Sequence, residues 1–276
     1  SNVASLFAPD LYFQRSNRPP TVYQNEFLHL KLAKQLQDQQ DHDQCTSMLP
    51  QNLVYFHNFK AGGTSVRSAL LSQSLPFYNQ ERIHFSYPIL SEEDFRGMLR
   101  TSFREMQQFY LEQKKGKVLG FSFVRSSVVK RFLSGVAQIG RMNVDWETSE
   151  SSRRCFVEIT RARPNEMVAC ILDSIQLEGF FFNLHLYPQA YLMDAWTNWG
   201  LLDMAITLVH MEDDMSSVLK AISGSPLIHH EQRSGDDQIG IDELDLALVA
   251  RICETYAADI FLLQNYLGCN DTYCDV

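Results

Sequence analysis

The chain has no surplus of positive charge. Its 276 residues include 24 Lys and Arg against 33 Asp and Glu, which gives a formal net charge of −9 at pH 7. Nucleic acids and anionic membrane surfaces bind proteins that carry a basic field, and this chain does not carry one. We therefore expect no nucleic-acid partner, and any anionic ligand must be held by a local basic site.

Long apolar runs and metal-ligand spacings are also missing. No segment reaches the roughly 18 to 20 apolar residues that span a bilayer, and the chain opens without a signal-peptide pattern. None of the six cysteines lies in a C-x-x-C pair, and no group of His and Cys has the spacing of zinc ligands. The sequence thus predicts no metal site.

The cysteines and the end of the chain bear on the cellular compartment. Cys269 and Cys274 flank the polar tail GCNDTYC, which contains the glycosylation sequon Asn270-Asp271-Thr272. An even number of cysteines together with a sequon favours the lumen of the secretory pathway. The sequence leaves the pairing of the cysteines open.

Hydrophobic patterning predicts strands that alternate with helices. Runs rich in β-branched and aromatic residues predict buried strands at 52–58, 117–125 and 206–212. Helical patterns occupy 23–44, 64–75, 91–116, 126–140, 164–176, 213–223 and 240–268, the last as one long C-terminal helix.

This order of elements predicts an α/β protein with a central parallel sheet flanked by helices. We expect a single domain over residues 50–268. An N-terminal arm and helix, 1–49, precede it, and a C-terminal tail, 269–276, follows it.

The stretch NLVYFHNFKAGGTSVRSALL leads a strand through a glycine-containing turn into a helix. Such a turn gathers backbone N–H groups and the positive end of the helix dipole around one point, which suits a phosphate or sulfuryl group. Gly62 and Gly63 let the backbone approach an anion. Thr64 and Ser65 add hydroxyl donors, and Lys60 adds a cation. The alternative is a tight turn that carries a surface lysine.

The segment GFSFVRSSVVKRFLSG repeats this arrangement at the end of the next predicted strand. Arg125 ends the strand, and Arg131 and Ser134 lie in the helix after it. Because ligands of open parallel sheets bind at the carboxyl ends of the strands, we expect Lys60 and Arg125 to face one crevice. A ligand with two anionic groups would fit there. The alternative is that these arginines pair with surface acids.

Taken together, the two segments resemble those of the Golgi carbohydrate sulfotransferases. FHNFKAGGTS is similar to the phosphosulfate loop F-H-I/V-P-K-T/C-G-G-T/S-S/T, and FSFVRSSVVKRFLSG to the 3′-phosphate segment F-x-F-V-R-D/E-P-x-x-R-F/L-x-S. NLHLYPQAYL resembles the family's H-x-x-P-Q segment, and YAADIFLLQNYLG its closing helix. The chain departs from the pattern at Asn58-Phe59, at Ala61 and at Ser126-Ser127.

The resemblance implies a sulfotransferase fold with a P-loop-like nucleotide site. The donor would be 3′-phosphoadenosine 5′-phosphosulfate, the product adenosine 3′,5′-bisphosphate, and no metal would be needed. The residues implied at the 5′-phosphosulfate are Lys60, Ala61, Gly62, Gly63, Thr64 and Ser65. Arg125 and Ser134 are implied at the 3′-phosphate, where Arg131 either assists them or braces the helix. Arg233 and Ser234 are expected in a loop over the nucleotide.

In-line sulfuryl transfer needs charge stabilisation on the leaving oxygen and a base for the acceptor hydroxyl. The resemblance implies that Lys60 supplies the first and that His84, in ERIHFSYPIL, supplies the second. His185, in NLHLYPQ, is the rival base and is otherwise expected to bind or support the substrate. Glu212 is either a residue beside the crevice or an acid at a helix start.

These implications lead to one expected function. The chain is expected to transfer a sulfuryl group to a hydroxyl of a glycan acceptor, in the Golgi lumen. The native form is expected to be a type II membrane protein whose anchor lies outside this sequence. Alternatives are a sulfotransferase for a small-molecule or protein hydroxyl, a kinase-like enzyme that uses ATP, and a non-catalytic relative.

Overall fold

The protein is described by a computed structural model. The described residues are 52–58, 61, 65–66, 69, 77–79, 108, 112, 118–141, 154–155, 163–180, 184–190, 192, 206–212, 215–216, 218–219, 239–264, 268 and 271–274. The predicted N-terminal arm and helix, 1–49, lie outside them.

Among the described residues, four parallel strands form the sheet, in the order β2-β1-β3-β4. They are β1 Asn52–Tyr55, β2 Phe77–Asn79, β3 Val118–Val124 and β4 Ile206–His210. Three of them match predicted strands, and β2 was missed because three residues are too few to show a period. Among the described residues, the α/β class with a central parallel sheet is confirmed.

Four α-helices have described bounds. They are α1 Val128–Arg141, α2 Pro164–Glu178, α3 Leu246–Thr255 and α4 Ala257–Leu262. Short 3-10 helices occupy Leu184–Leu186 and Ile241–Glu243. Pro164 suits the start of α2, because the first helical N–H has no partner to lose. None of the helices among the described residues is long and apolar enough to cross a membrane.

Both faces of the sheet are covered. Val54 and Phe56 pack into one apolar cluster, whereas Tyr55, Phe121 and Phe123 pack into another. This alternation is the two-residue period of a strand buried on both sides. The four α-helices supply most of the first cluster, and the helical residues Val66, Ala69, Val218 and Leu219 belong to the second. The sheet is therefore the middle of three layers.

The prediction of one long C-terminal helix at 240–268 was wrong. The backbone is extended at Leu244 and Asp245, and Tyr256 interrupts the helix again before α4. Leu248, Ile252 and Tyr256 are nevertheless all buried in one cluster. A four-residue apolar period shows which side chains face the core. Residues of α3 and α4 are buried in the same cluster, so the apolar period continues through Tyr256 although the helical hydrogen bonds are interrupted there.

Within the part of the chain that the structure describes, two disulfides hold the helical layer together. Cys155 is bonded to Cys170 of α2, and Cys253 of α3 is bonded to Cys274 in the tail. Cys274 therefore pairs with the helix and not with Cys269. Closing loops of 15 and 21 residues stabilises a fold by about 3 kcal/mol each in the chain-entropy account. The second bond anchors the tail close to the start of α1.

Candidate functional site

The site lies where the strand order reverses. From β1 the chain continues to β2, which lies on one side of β1, and later to β3, which lies on the other side of β1. In open parallel sheets such a reversal opens a crevice at the carboxyl ends of the two diverging strands. Here those ends lead into Asn58 after β1 and Arg125 after β3. The two segments that the sequence singled out therefore leave the sheet at the same edge.

Side-chain amides fill the gap between the diverging strands. Asn58, which is fully buried, donates through Nδ2 to the carbonyl of Phe123 at 3.1 Å and to Oε1 of Gln189 at 3.0 Å. Gln189, also fully buried, accepts from the backbone N–H of Arg125 at 2.9 Å and donates to the Arg125 carbonyl at 3.1 Å. Asn58 stands where the family pattern has Ile or Val, and its two bonds give both amide N–H groups a partner.

Helix α1 begins with a capped N-terminus. Ser127 accepts from the backbone N–H of Lys130 at 3.3 Å through its side chain and from that of Arg131 at 3.0 Å through its carbonyl, as an N-cap residue does. The carboxylate of Asp271 accepts from the N–H of Val128 at 2.6 Å. The tail thus contributes a negative charge to the positive end of the helix dipole.

Arg125 makes an ion pair with Glu212, just past β4. Its Nε lies 3.1 Å from Glu212 Oε1, and the backbone N–H and hydroxyl of Ser126 both donate to Oε2 at 3.0 Å. The side chains are partly open, at 18% and 32% exposure. Nη1 of Arg125 is shielded from water and has no hydrogen-bond partner among the described residues. This turn therefore holds a carboxylate, and Arg125 keeps one donor without a partner among the described residues.

Arg131 serves a different purpose from Arg125. It is 1% exposed, donates to the Tyr187 carbonyl, and lies 3.6 Å from the buried carboxylate of Asp259. Asp259 in turn accepts from the N–H of Ala190 at 2.8 Å. Burial lowers the pKa of Arg131 and raises that of Asp259, while the charge of each partner opposes the shift. Arg131 braces α1 against the 184–190 segment and α4.

Ser134 lies further along α1, and His185, in the 3-10 helix Leu184–Leu186, packs against α1 beside it. Ser134 is buried, about 9 Å along the helix axis from Val128 at 1.5 Å per residue. Next to it, a Cβ on Gly135 would come within 2.6 Å of the His185 carbonyl, so only glycine allows this contact. Both ring nitrogens of His185 are shielded from solvent. This geometry describes packing of the segment onto α1, and the expected roles of Ser134 and His185 toward nucleotide and substrate stay predictions.

Two of the residues predicted at the 5′-phosphosulfate are described. Ala61 is fully buried in the second apolar cluster, and its N–H donates to the Asn58 carbonyl at 3.2 Å. Ser65 is half-buried and helical. The other predicted site residues outside the described residues are Lys60, Gly62, Gly63, Thr64, His84, Arg233 and Ser234.

The sequence did not single out three residues that form this site. Gln189 is the last residue of the H-x-x-P-Q segment, and this motif could have indicated it. From the sequence, a role was assigned only to His185, the first residue of the motif. Asp271 is the middle residue of the sequon, and nothing in the sequence indicates that it caps a helix. Asn58 was noted only as a departure from the family pattern.

Comparisons of the chain with protein-family models, with curated proteins and with solved structures found no match. No group of three or more His, Cys, Asp or Glu that could hold a metal ion is present within the part of the chain that the structure describes. Any functional assignment therefore depends on the geometry of the switch point and on the two sequence segments that meet there.

Proposed function

We propose that the chain is a sulfotransferase, which transfers a sulfuryl group from 3′-phosphoadenosine 5′-phosphosulfate to a hydroxyl of a glycan. One observation carries the proposal. Arg125 lies at the switch point, at the same sheet edge where the chain leaves β1 toward Lys60 and the two glycines. Two anion-binding segments at one edge suit a nucleotide with phosphate groups at both ends of its ribose.

The 3′-phosphate is assigned to Arg125. Its guanidinium is held through Nε by Glu212, and Nη1 is a donor without a partner among the described residues. A guanidinium fork binds phosphate oxygens through parallel hydrogen bonds, and such charge-assisted bonds are stronger than neutral ones. The family resemblance assigns the 5′-phosphosulfate to the loop from Lys60 to Ser65, and Lys60 to the leaving oxygen.

The chemical step would be an in-line displacement at sulfur. A bond forms between the acceptor oxygen and sulfur while the bond between sulfur and the 5′-phosphate oxygen breaks. His84 takes the hydroxyl proton, and Lys60 neutralises the charge on the leaving phosphate. The products are the sulfated acceptor and adenosine 3′,5′-bisphosphate, and the fold would be that of P-loop-like sulfotransferases.

The proposed setting is the Golgi lumen, with a membrane anchor outside this sequence. The disulfides of Cys155 with Cys170 and of Cys253 with Cys274 support an oxidising compartment, since cytosolic proteins rarely keep such bonds. The sequon at Asn270 is consistent with the same compartment.

One observation favours a second candidate, a non-catalytic relative. Glu212 and Asp271 place two carboxylates at the turn where a 3′-phosphate would bind. Negative charge at this position opposes a phosphate. A protein that no longer bound the donor nucleotide could keep both carboxylates at this turn, because no phosphate would be repelled by them.

The test combines binding with transfer. Thermal unfolding is measured without ligand, with adenosine 3′,5′-bisphosphate and with ATP, and we expect stabilisation by the bisphosphate. Stabilisation by ATP alone would support a kinase-like enzyme and overturn the proposal. Sulfate transfer from labelled donor to a panel of glycans then separates an enzyme from a non-catalytic relative, which would bind the bisphosphate and transfer nothing.

Variants assign the roles within the reaction. Lys60→Ala should lower the transfer rate by about 100-fold or more, as removal of a group that stabilises transition-state charge does. His84→Ala should lower it by about 100-fold or more, as loss of a general base does. Arg163→Ala is the control, because Arg163 is an exposed residue that pairs with Glu166 at the start of α2, outside both segments. Full activity of His84→Ala would refute the base assignment alone.

A further inference from the structure

The contacts between β1 and β3 change character at the switch point. Along the strands, backbone groups pair with each other up to Phe56, whose N–H donates to the Phe121 carbonyl at 2.9 Å. Beyond this point the two strands diverge, and side chains supply the hydrogen bonds that the backbone of a paired strand would otherwise make. The hydroxyl of Ser122 donates to the Phe56 carbonyl at 2.8 Å, and Asn58 Nδ2 donates to the Phe123 carbonyl. The diverging strands are therefore joined by side-chain hydrogen bonds.

Gln189 completes this series at Arg125. Its amide accepts from the Arg125 N–H at 2.9 Å and donates to the Arg125 carbonyl at 3.1 Å, which are the two bonds that a neighbouring strand would supply. Water cannot replace them easily, because Gln189 is fully buried. Without Gln189, both backbone groups of Arg125 would lose these partners, and its backbone angles would no longer be fixed on this side.

The segment that carries Gln189 is itself held firmly. The hydroxyl of Tyr256 donates to the Leu186 carbonyl at 2.5 Å, Arg131 donates to the Tyr187 carbonyl, and Ala190 donates to Asp259 at 2.8 Å. These contacts come from α1 and from the C-terminal helices. They fix the backbone on both sides of Gln189, so its amide meets Arg125 with little freedom to move.

We propose that Gln189 is a positioning residue that fixes Arg125 for the 3′-phosphate of the nucleotide. The inference rests on the proposed function, which assigns that phosphate to Arg125. Gln189 binds both backbone polar groups of Arg125, Asn58 holds the Gln189 amide oxygen, and Glu212 holds the guanidinium at the other end. Backbone and side chain of Arg125 are thus fixed independently, and the backbone part depends on Gln189.

The experiment compares two nucleotides that differ only in the 3′-phosphate. Dissociation constants for adenosine 3′,5′-bisphosphate and adenosine 5′-monophosphate are measured by calorimetry on wild type and on Gln189→Met, which keeps the length of the side chain without its amide. We expect Gln189→Met to weaken the bisphosphate about tenfold, the loss equivalent to about one well-placed hydrogen bond. The monophosphate should change less than about twofold, since Arg125 does not contact it.

A second variant and a control separate positioning from stability. Gln189→Leu also removes the amide and adds no charge near the phosphate, so the bisphosphate should again weaken selectively even if Gln189→Met fails to fold. Ile171→Val is the control, because it removes one buried methyl group from α2 and none of the hydrogen bonds to Arg125 or to the 184–190 segment. It should lower the melting temperature and leave the ratio of the two dissociation constants unchanged.

The outcomes distinguish the two proposals. If wild type binds neither nucleotide, or binds both equally, the 3′-phosphate assignment of Arg125 fails and the positioning role fails with it. If wild type prefers the bisphosphate and both Gln189 variants keep the same ratio, the proposed function stands and Gln189 is only a packing residue.

Discussion

Arg125 and Arg131 belong to the same strand-to-helix unit, and they have opposite surroundings. Arg131 and its partner Asp259 are 1% and 0% exposed, whereas Arg125 and its partner Glu212 are 18% and 32% exposed. Arg131 also donates to the Tyr187 carbonyl. Arg125 retains a shielded Nη1 without a partner among the described residues.

The difference shows that the exposure of an ion pair decides whether its arginine stabilises the fold or is available to bind a ligand. A pair that is fully removed from water cannot change partners, because either charge left alone would carry a large desolvation cost. A partly exposed pair contributes little to stability, so its arginine can serve a ligand at small cost to the fold. Arg131 is therefore expected to hold the fold, and Arg125 to hold a ligand.

The largest effect should come from breaking the buried pair. Asp259→Ala leaves Arg131 charged without a counter-ion, and we expect the free energy of unfolding to fall by about 3–5 kcal/mol, measured by urea denaturation. The double variant Arg131→Met, Asp259→Leu removes both charges, and its free energy of unfolding should fall much less. Asp173→Ala is the control, because Asp173 forms an exposed pair with Arg251, and it should cost less than about 1 kcal/mol. If Asp259→Ala lowered the free energy of unfolding by an equally small amount, the Arg131–Asp259 pair would not be needed to hold α1 against the 184–190 segment and α4.

A smaller effect, of a different kind, is expected at Arg125. Arg125→Ala should change the free energy of unfolding by less than about 1 kcal/mol, since its ion pair is partly exposed. The same variant should weaken adenosine 3′,5′-bisphosphate by about 10- to 100-fold, the range for lost hydrogen bonds to a charged group. Calorimetry checks the affinity and urea denaturation the stability.

The control for Arg125 is an arginine in an ordinary surface pair. Arg163 pairs with Glu166 at the start of α2, and both are about half exposed. Arg163→Ala should alter neither nucleotide affinity nor stability by much. Unchanged bisphosphate binding in Arg125→Ala would remove the distinction between the two arginines of the strand-to-helix unit.

Local patterns were sufficient to predict much of the fold. The apolar runs of β1, β3 and β4 and the helix after Arg125 reflect short-range residue preferences, and the structure has them within a few residues. The break at Tyr256 could not be predicted in the same way. The contacts of Tyr256 at this break are tertiary: the ring packs against Phe132 and Phe180, and its hydroxyl donates to the Leu186 carbonyl.

The roles within the site depended on partners that are distant in sequence. Both arginines fit the motif equally well, and only the approach of Asp259 and Glu212 from other elements separates them. Gln189 gains its importance from the backbone of Arg125, which no motif reveals. Sequence reasoning thus found the turn that carries the site, and it could not find what surrounds that turn.

The smallest effect should come from the acid that now accompanies Arg125. Glu212 accepts from Arg125 and from Ser126, and its charge opposes a nearby phosphate. Glu212→Gln should therefore tighten adenosine 3′,5′-bisphosphate by roughly two- to fivefold, the value of a partly exposed charge pair, and leave adenosine 5′-monophosphate unchanged in calorimetry. Glu166→Gln, which removes an exposed acid from α2, should affect neither nucleotide. Weaker bisphosphate binding in Glu212→Gln would instead mean that the hold of the carboxylate on Arg125 Nε contributes more to ligand binding than its negative charge costs.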